Sequence, residues 1–358
     1  MAENIRFLTQ HKRKNPKQIL SELSEFTKSD AKLDVYGTGD LISNFEKKIA
    51  ELLGKESAVF MPSGTMAQQI ALRIYSDWKN ISTVAFHPLS HLEVHEQNAY
   101  SKLHNLDSVL VGESNRKWKI EDFQKIETEI STLLVELPQR EIGGQLPTWE
   151  ELTKIFSWAK EKEIALHLDG ARLWECKPFY QKSYAEICEP FDSVYVSFYK
   201  ILGGIAGAIL AGSEELIKEA KIWQRRHGGN LISLYPYVLS SQKGLEEHLP
   251  QIDSYVSKAQ EIAKTLSKFP ELELIPNSPQ TNMFHLYLNF PKEKLELASK
   301  KIIEEDKIQI SGYFREISKD EKSMFEFTVG SSTLNFEKDE IESIFRKLIE
   351  IAKTDSLN

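Results

Sequence analysis

The chain has 358 residues and a net charge of −8 at neutral pH, which makes nucleic acid and anionic membrane surfaces poor partners. With 41% hydrophobic residues it can bury a large core, and no apolar run approaches the ~20 residues that span a bilayer. Only Cys176 and Cys188 are present, which fits a reducing compartment and hence the cytoplasm, although a disulfide between them is compatible with the sequence.

Residues 1–33 are polar, charged and helix-prone, and read as an N-terminal arm or leading helix without the apolar core of a secretion signal. From Asp34 strands and helices alternate. Ser43-Asn44-Phe45-Glu46 has the form of a capping box, with Ile42, Phe45, Ile49, Leu52 and Leu53 at helical spacing. Ser57–Met61 reads as a strand, followed by a helix from Gly64 to about Tyr75. Further strands are expected at Thr83–Phe86, Ser108–Val111 and Thr132–Leu137. Thr148-Trp149-Glu150-Glu151 is a second capping box, and its helix to about Lys162 feeds a strand ending at Asp169. Strands Val194–Phe198 and Ala206–Leu210 and a helix Glu214–Arg226 follow.

Short apolar strands separated by amphipathic helices imply an α/β domain over 34–240, its mostly parallel sheet covered by helices on both faces. The pattern then changes. A long helical stretch (Gln242–Lys268), strands at Met283–Leu288 and Phe325–Val329 and a closing helix at Lys338–Lys353 predict a smaller α+β domain over 241–358. No internal repeat is evident.

Three segments carry chemistry. Ile164-Ala165-Leu166-His167-Leu168 delivers Asp169, and Val194-Tyr195-Val196-Ser197-Phe198 delivers Lys200 just beyond its end. A carboxylate after a strand of apolar residues is costly unless it lies at the strand end or is paired, for example with Arg172. The carboxyl ends of parallel strands are where open α/β sheets bind ligands. Lys200 precedes Gly203-Gly204-Ile205-Ala206-Gly207, so close packing should desolvate its amine and lower its pKa. The third segment, Pro62-Ser63-Gly64-Thr65, sits between a strand and a helix. Its free N–H groups and the helix dipole make a phosphate cradle. Amine, carboxylate and cradle together suit pyridoxal 5'-phosphate: the lysine holds the cofactor covalently and the aspartate keeps the pyridine nitrogen protonated. An imidazole from His91, His87 or His95 is available to stack on a flat ring or to act as acid or base, and spacing alone does not choose among them. No metal site is expected.

These segments, in order and spacing from about residue 34 to 230, resemble the threonine aldolase and β-eliminating lyase family of pyridoxal phosphate enzymes, fold type I. The resemblance rests on Asp34-Val35-Tyr36-Gly37, Val59 to Ala67, Ser90-His91, Glu136 with Gly143-Gly144, Ser197 to Lys200 and, most specifically, His167-Leu168-Asp169-Gly170-Ala171-Arg172. It implies that Lys200 attaches the cofactor, Asp169 pairs with its ring nitrogen, Ser63, Gly64 and Thr65 hold its phosphate, and His91 stacks on the ring. Ser197 would also line the cofactor site, and Arg172 would lie beside the ring or the substrate carboxylate. It further implies a homodimer or homotetramer with shared active sites, Tyr36 lying at or near the interface.

Departures from the family pattern fall on the substrate side. No Asp-Leu-Arg-Ser-Asp-Thr-like run precedes Asp34. Phe327 stands about where an arginine is expected to clamp the substrate carboxylate, so Arg315 is the candidate to replace it. Gly228-Gly229-Asn230-Leu231-Ile232-Ser233 lacks a further arginine. The activity implied is cleavage of the Cα–Cβ bond of a β-hydroxy-α-amino acid to glycine and an aldehyde. The alternatives are β-elimination or another cofactor-dependent reaction on an amino acid and, third, a regulatory protein that binds the cofactor without turnover.

Overall fold

The computed structural model describes residues 5–318 and 321–354, so the first four residues of the expected N-terminal arm lie outside the described residues. The chain divides into two compact units. The larger spans residues 17–141 and 146–249; the smaller combines the described residues up to Pro16 with 142–145 and 250 onward. Residues 1–33 are therefore divided: Arg6–Phe7 pairs in parallel with Ile308–Gln309 in the smaller unit, while the helix α1 (Pro16–Phe26) falls almost wholly in the larger.

After α1 the larger unit runs α2 (Asp40–Leu53), β1 (Ser57–Met61), α3 (Gly64–Lys79), β2 (Thr83–Phe86), β3 (Asp107–Leu110), β4 (Thr132–Glu136) and α4 (Trp149–Glu161). It continues with β5 (Ala165–Gly170), β6 (Ser193–Ser197), β7 (Ala208–Gly212), α5 (Glu214–Arg226) and α6 (Tyr235–His248). The seven strands form one sheet in the order β1-β7-β6-β5-β4-β2-β3. Six run the same way, and β7 is antiparallel to both neighbours, β6 and β1. β5, β6 and β7 are buried along their whole length, as a sheet covered on both faces requires.

The helices follow from local signals. Ser63 caps α3 by accepting the Met66 N–H, and Ala67, Ile70, Ala71 and Ile74 place one apolar stripe on β1 and β7. Thr148 and Glu151 form the expected capping box of α4. The box expected at Ser43 is absent. α2 begins three residues earlier, and the Ser43 N–H already bonds to the Gly39 carbonyl at 3.0 Å. Glu46 instead turns toward the sheet, where its Oε1 accepts the Phe60 N–H at 2.8 Å and burial pushes its carboxyl up to about 7.

The smaller unit carries α7 (Ile252–Leu266), β8 (Leu272–Ile275), β9 (Met283–Leu288), α8 (Lys292–Asp306), β10 (Arg315–Ser318), β11 (Lys322–Thr328) and α9 (Lys338–Thr354). Its antiparallel sheet has the order β10-β11-β9-β8. The helical stretch expected over Gln242–Lys268 is two helices, α6 and α7, separated by the turn Leu249–Gln251 around Pro250.

Candidate active site

The parallel strands β1, β4, β5 and β6 end at one edge of the larger unit's sheet, and each end leads to a candidate side chain. β4 ends at Glu136, which lies in register beside Asp169 on β5. Tyr195 on β6 is the register partner of Asp169 on the other side. Lys200 follows β6, and the Ser63-Gly64-Thr65 turn follows β1.

Asp169 is 1% exposed, and its Oδ1 accepts the Ala171 N–H at 3.0 Å. Burial raises its proton affinity, while Lys200, that N–H and His91 oppose the rise. Burial lowers the Lys200 ammonium to about 8; the Arg172 guanidinium acts in the same direction, and Asp169, Glu136 and Glu175 resist. The loop that presents Lys200 is tight. Phe198 N–H bonds to Gly207 O, Gly203 N–H to Lys200 O, and Gly204 N–H to Phe198 O at 2.8 Å. A Cβ on Gly204 would stand 2.8 Å from that Phe198 oxygen, so a side chain there would break the loop.

Ser197 is 1% exposed and donates its hydroxyl to Ala171 O at 2.7 Å, while its carbonyl accepts the Trp174 indole N–H at 2.9 Å. Both groups pin the turn after Asp169 to the root of the Lys200 loop. Arg172 is half-buried on that turn.

Among the three histidines the geometry discriminates. His87 is buried and both ring nitrogens are bonded, Nε2 with Arg116 O and Nδ1 with the Leu89 N–H. His95 pairs with Glu141 at the surface. His91 lies close enough to Asp169 and Glu136 to influence both carboxyls. Its Nδ1 meets Glu96 Oε1 at 2.9 Å, and its backbone N–H donates to Glu136 at 3.4 Å. Glu96 is buried and also receives the side-chain amides of Gln68 and Gln69 from α3. Glu136 collects the Gln139 side-chain amide and the Arg140 N–H, and burial beside Asp169 pushes its carboxyl up to about 7.

The Gly64 turn lacks a side chain for a steric reason. A Cβ there would stand 1.8 Å from the Tyr195 hydroxyl. That hydroxyl lies 3.3 Å from the hydroxyl of Tyr199, the residue before Lys200. Ser63 and Thr65 flank this glycine, half-buried.

The structure thus brings Ser63, Gly64, Thr65, His91, Asp169, Arg172, Ser197 and Lys200 onto one unit. Tyr36 belongs to the same unit, exposed on a left-handed turn (φ 47°) whose N–H bonds to Ile232 O and whose ring lies under Arg225. Arg315 belongs to the other unit, on the exposed edge strand β10. Phe327 is a core residue of that unit, stacked on Phe284 at 5.0 Å. Sequence reasoning missed Glu96, Gln68, Gln69, Tyr195 and Tyr199. For Glu96 the available signal was a carboxylate five residues beyond His91; for Tyr199 it was adjacency to Lys200.

The donor set fits pyridoxal phosphate. Were it bound, the lysine amine would suit its aldehyde, the buried carboxylate its ring nitrogen, and the hydroxyls and helix N–H groups at the glycine its phosphate.

The strand order and site define an enzyme of fold type I. The family model for "Beta-eliminating lyase" matches residues 19–289. A solved structure from Listeria monocytogenes EGD-E, assigned as an L-allo-threonine aldolase, is 46% identical with a TM-score of 0.93, covering 97% of this chain and 96% of that one. One from Exiguobacterium sp. 255-15, assigned as an aromatic amino acid β-eliminating lyase/threonine aldolase, is 40% identical with a TM-score of 0.92 and 97% coverage of both chains. Low-specificity L-threonine aldolase 1 of Arabidopsis thaliana is 27% identical over 265 residues, 71% of this chain and 73% of its own. The chain belongs to the β-eliminating lyase family, and it is a lyase.

Proposed function

We propose that the protein is a pyridoxal phosphate-dependent aldolase that cleaves the Cα–Cβ bond of a β-hydroxy-α-amino acid of the threonine type, releasing glycine and an aldehyde. The observation that carries this reading is the buried Asp169 and the desolvated Lys200 at neighbouring strand ends, beside His91. When bound, pyridoxal phosphate supplies the electron sink for the broken bond.

The protein's own residues do the rest. Lys200 holds the cofactor, its amine kept nucleophilic near neutral pH by burial. Asp169 would hold a proton at the ring nitrogen, and Ser63, Gly64 and Thr65 would bind the phosphate. Glu96 occupies His91 Nδ1, which would orient the imidazole over the ring and leave Nε2 to accept the β-hydroxyl proton. Arg172, half-buried on the turn after Asp169, would lie beside the ring or the substrate carboxylate.

Exposed apolar side chains gather on two segments joined by the Tyr36 N–H bond to Ile232 O: Leu33, Val35 and Tyr36 with Leu231, Ile232 and Tyr235. A second copy of the chain covering them, as dimer or tetramer with shared sites, accounts for this exposure. Among the described residues no helix is long and apolar enough to cross a membrane, and Cys176 and Cys188 are free, which supports a cytoplasmic enzyme.

Products test the reading. With pyridoxal phosphate and L-threonine or L-allo-threonine, purified protein should form glycine and acetaldehyde. A keto acid and ammonia from β-substituted amino acids would favour β-elimination instead, the reaction in the family's own description. Visible absorbance of the bound cofactor should vanish in Lys200→Ala; a wild-type protein that ignores added pyridoxal phosphate refutes the proposal.

A further inference from the structure

The hydroxyls of Tyr195 and Tyr199 meet at the first residue of α3. Tyr195 is 2% exposed, wedged where a side chain of Gly64 would be, and its oxygen lies 3.3 Å from that of Tyr199. A phenol has one proton to give and two lone pairs to fill. Either phenol can be the donor of this contact; when the buried Tyr195 gives its proton to Tyr199, the Tyr199 proton turns out of the pair toward another acceptor. Tyr199 is partly exposed, and Lys200 Nζ lies 6.0 Å from its ring centre.

We propose that Tyr199, held in place by Tyr195, donates its phenolic hydroxyl to the phosphate of pyridoxal phosphate, adding a side-chain donor to the Ser63–Thr65 cradle. This rests on the cofactor reading above. Burial raises the proton affinity of both phenols, so each remains an O–H donor wherever the enzyme works. Tyr195 is a positioning residue: it touches Tyr199 and Gly64 and orients the donor.

The test is a comparison of two ligands on apo-protein by equilibrium dialysis: pyridoxal phosphate, and pyridoxal, which lacks the phosphate. Tyr199→Phe should weaken pyridoxal phosphate binding about tenfold, the worth of one charge-assisted hydrogen bond, and leave pyridoxal binding unchanged. Tyr195→Phe should act in the same direction by a smaller factor and report independently if Tyr199→Phe folds poorly. Unchanged pyridoxal phosphate affinity in both variants overturns the proposal, as does an equal loss for both ligands, which would mean a contact to the ring. If wild-type protein binds neither ligand, the cofactor reading itself falls, an outcome distinct from the other two.

Discussion

Glu136 and Asp169 are neighbouring carboxyls on adjacent strands, and their burial has a measurable sign. The Glu136 carboxyl is raised from 4.5 to about 7, so the folded chain keeps a proton there that the unfolded chain releases. Its contribution to stability is complete below pH 4.5 and is lost as pH rises through 7. Denaturant unfolding of apo-protein across that window should show stability falling with pH, and Glu136→Gln should flatten the slope; an identical slope in the variant would count against a shared buried proton. Lys200 has the opposite sense. It is lowered from 10.5 to about 8, so the free amine fraction, and with it the rate of cofactor attachment, should rise about tenfold per pH unit below 8 and level off above. A rise that continues toward pH 10 in rapid-mixing experiments would show the amine to be solvated. Asp169 and Lys200 were legible in the sequence because each ends an apolar strand, where a charge needs a reason. Glu96, Tyr195 and Tyr199 were not, because a carboxylate five residues from His91 and two tyrosines four apart leave no periodic trace, and their further neighbours Gln68, Gln69 and Gly64 lie far off in the chain.

At the scale of elements, local signals read well where one segment carries them. Thr148 and Glu151 start α4 within four residues of chain, and β1, β2 and β9 fall where alternating apolar and turn residues put them. They fail where the partner is remote. Ser43 and Glu46 have the spacing of a capping box, yet Glu46 serves the Phe60 N–H instead. Asp34 does the reverse. It is 1% exposed and accepts the Leu234 and Tyr235 N–H groups and the Ser233 hydroxyl, capping α6 from a distant part of the chain, although α6 has no capping side chain of its own. Asp34→Ala should cost about 1–2 kcal/mol, the usual worth of a cap, and lower the melting temperature by roughly 2–4 °C per kcal/mol, whereas Asp34→Asn, which keeps the Oδ1 acceptor, should lose much less. An unchanged melting temperature would mean that solvent replaces the cap. Gly64→Ala should also destabilise, by about 1–3 kcal/mol of overpacking against Tyr195, and should weaken cofactor binding together with it.

For the molecule as a whole, the alternation of strands and helices made the covered, mostly parallel sheet legible, whereas strand order was not, since pairing partners leave little sign in composition. The apolar surface on residues 33–36 and 231–235 yields a prediction at this scale: Ile232→Asp, at an exposed position, should shift the protein toward monomer in light scattering and reduce activity with it. An oligomer indifferent to that charge would place the interface elsewhere. The one reversed strand also bears on biosynthesis. Among the described residues β1 pairs only with β7, Ser57 against Gly212 and Met61 against Ala208, so the strand before the Ser63–Thr65 turn emerges from the ribosome long before its neighbour exists. Until Gly212 has been translated, the turn at Gly64 hangs from an unpaired edge. Nascent chains arrested before that point should therefore fail to capture the cofactor even though Asp169 and Lys200 have already been made.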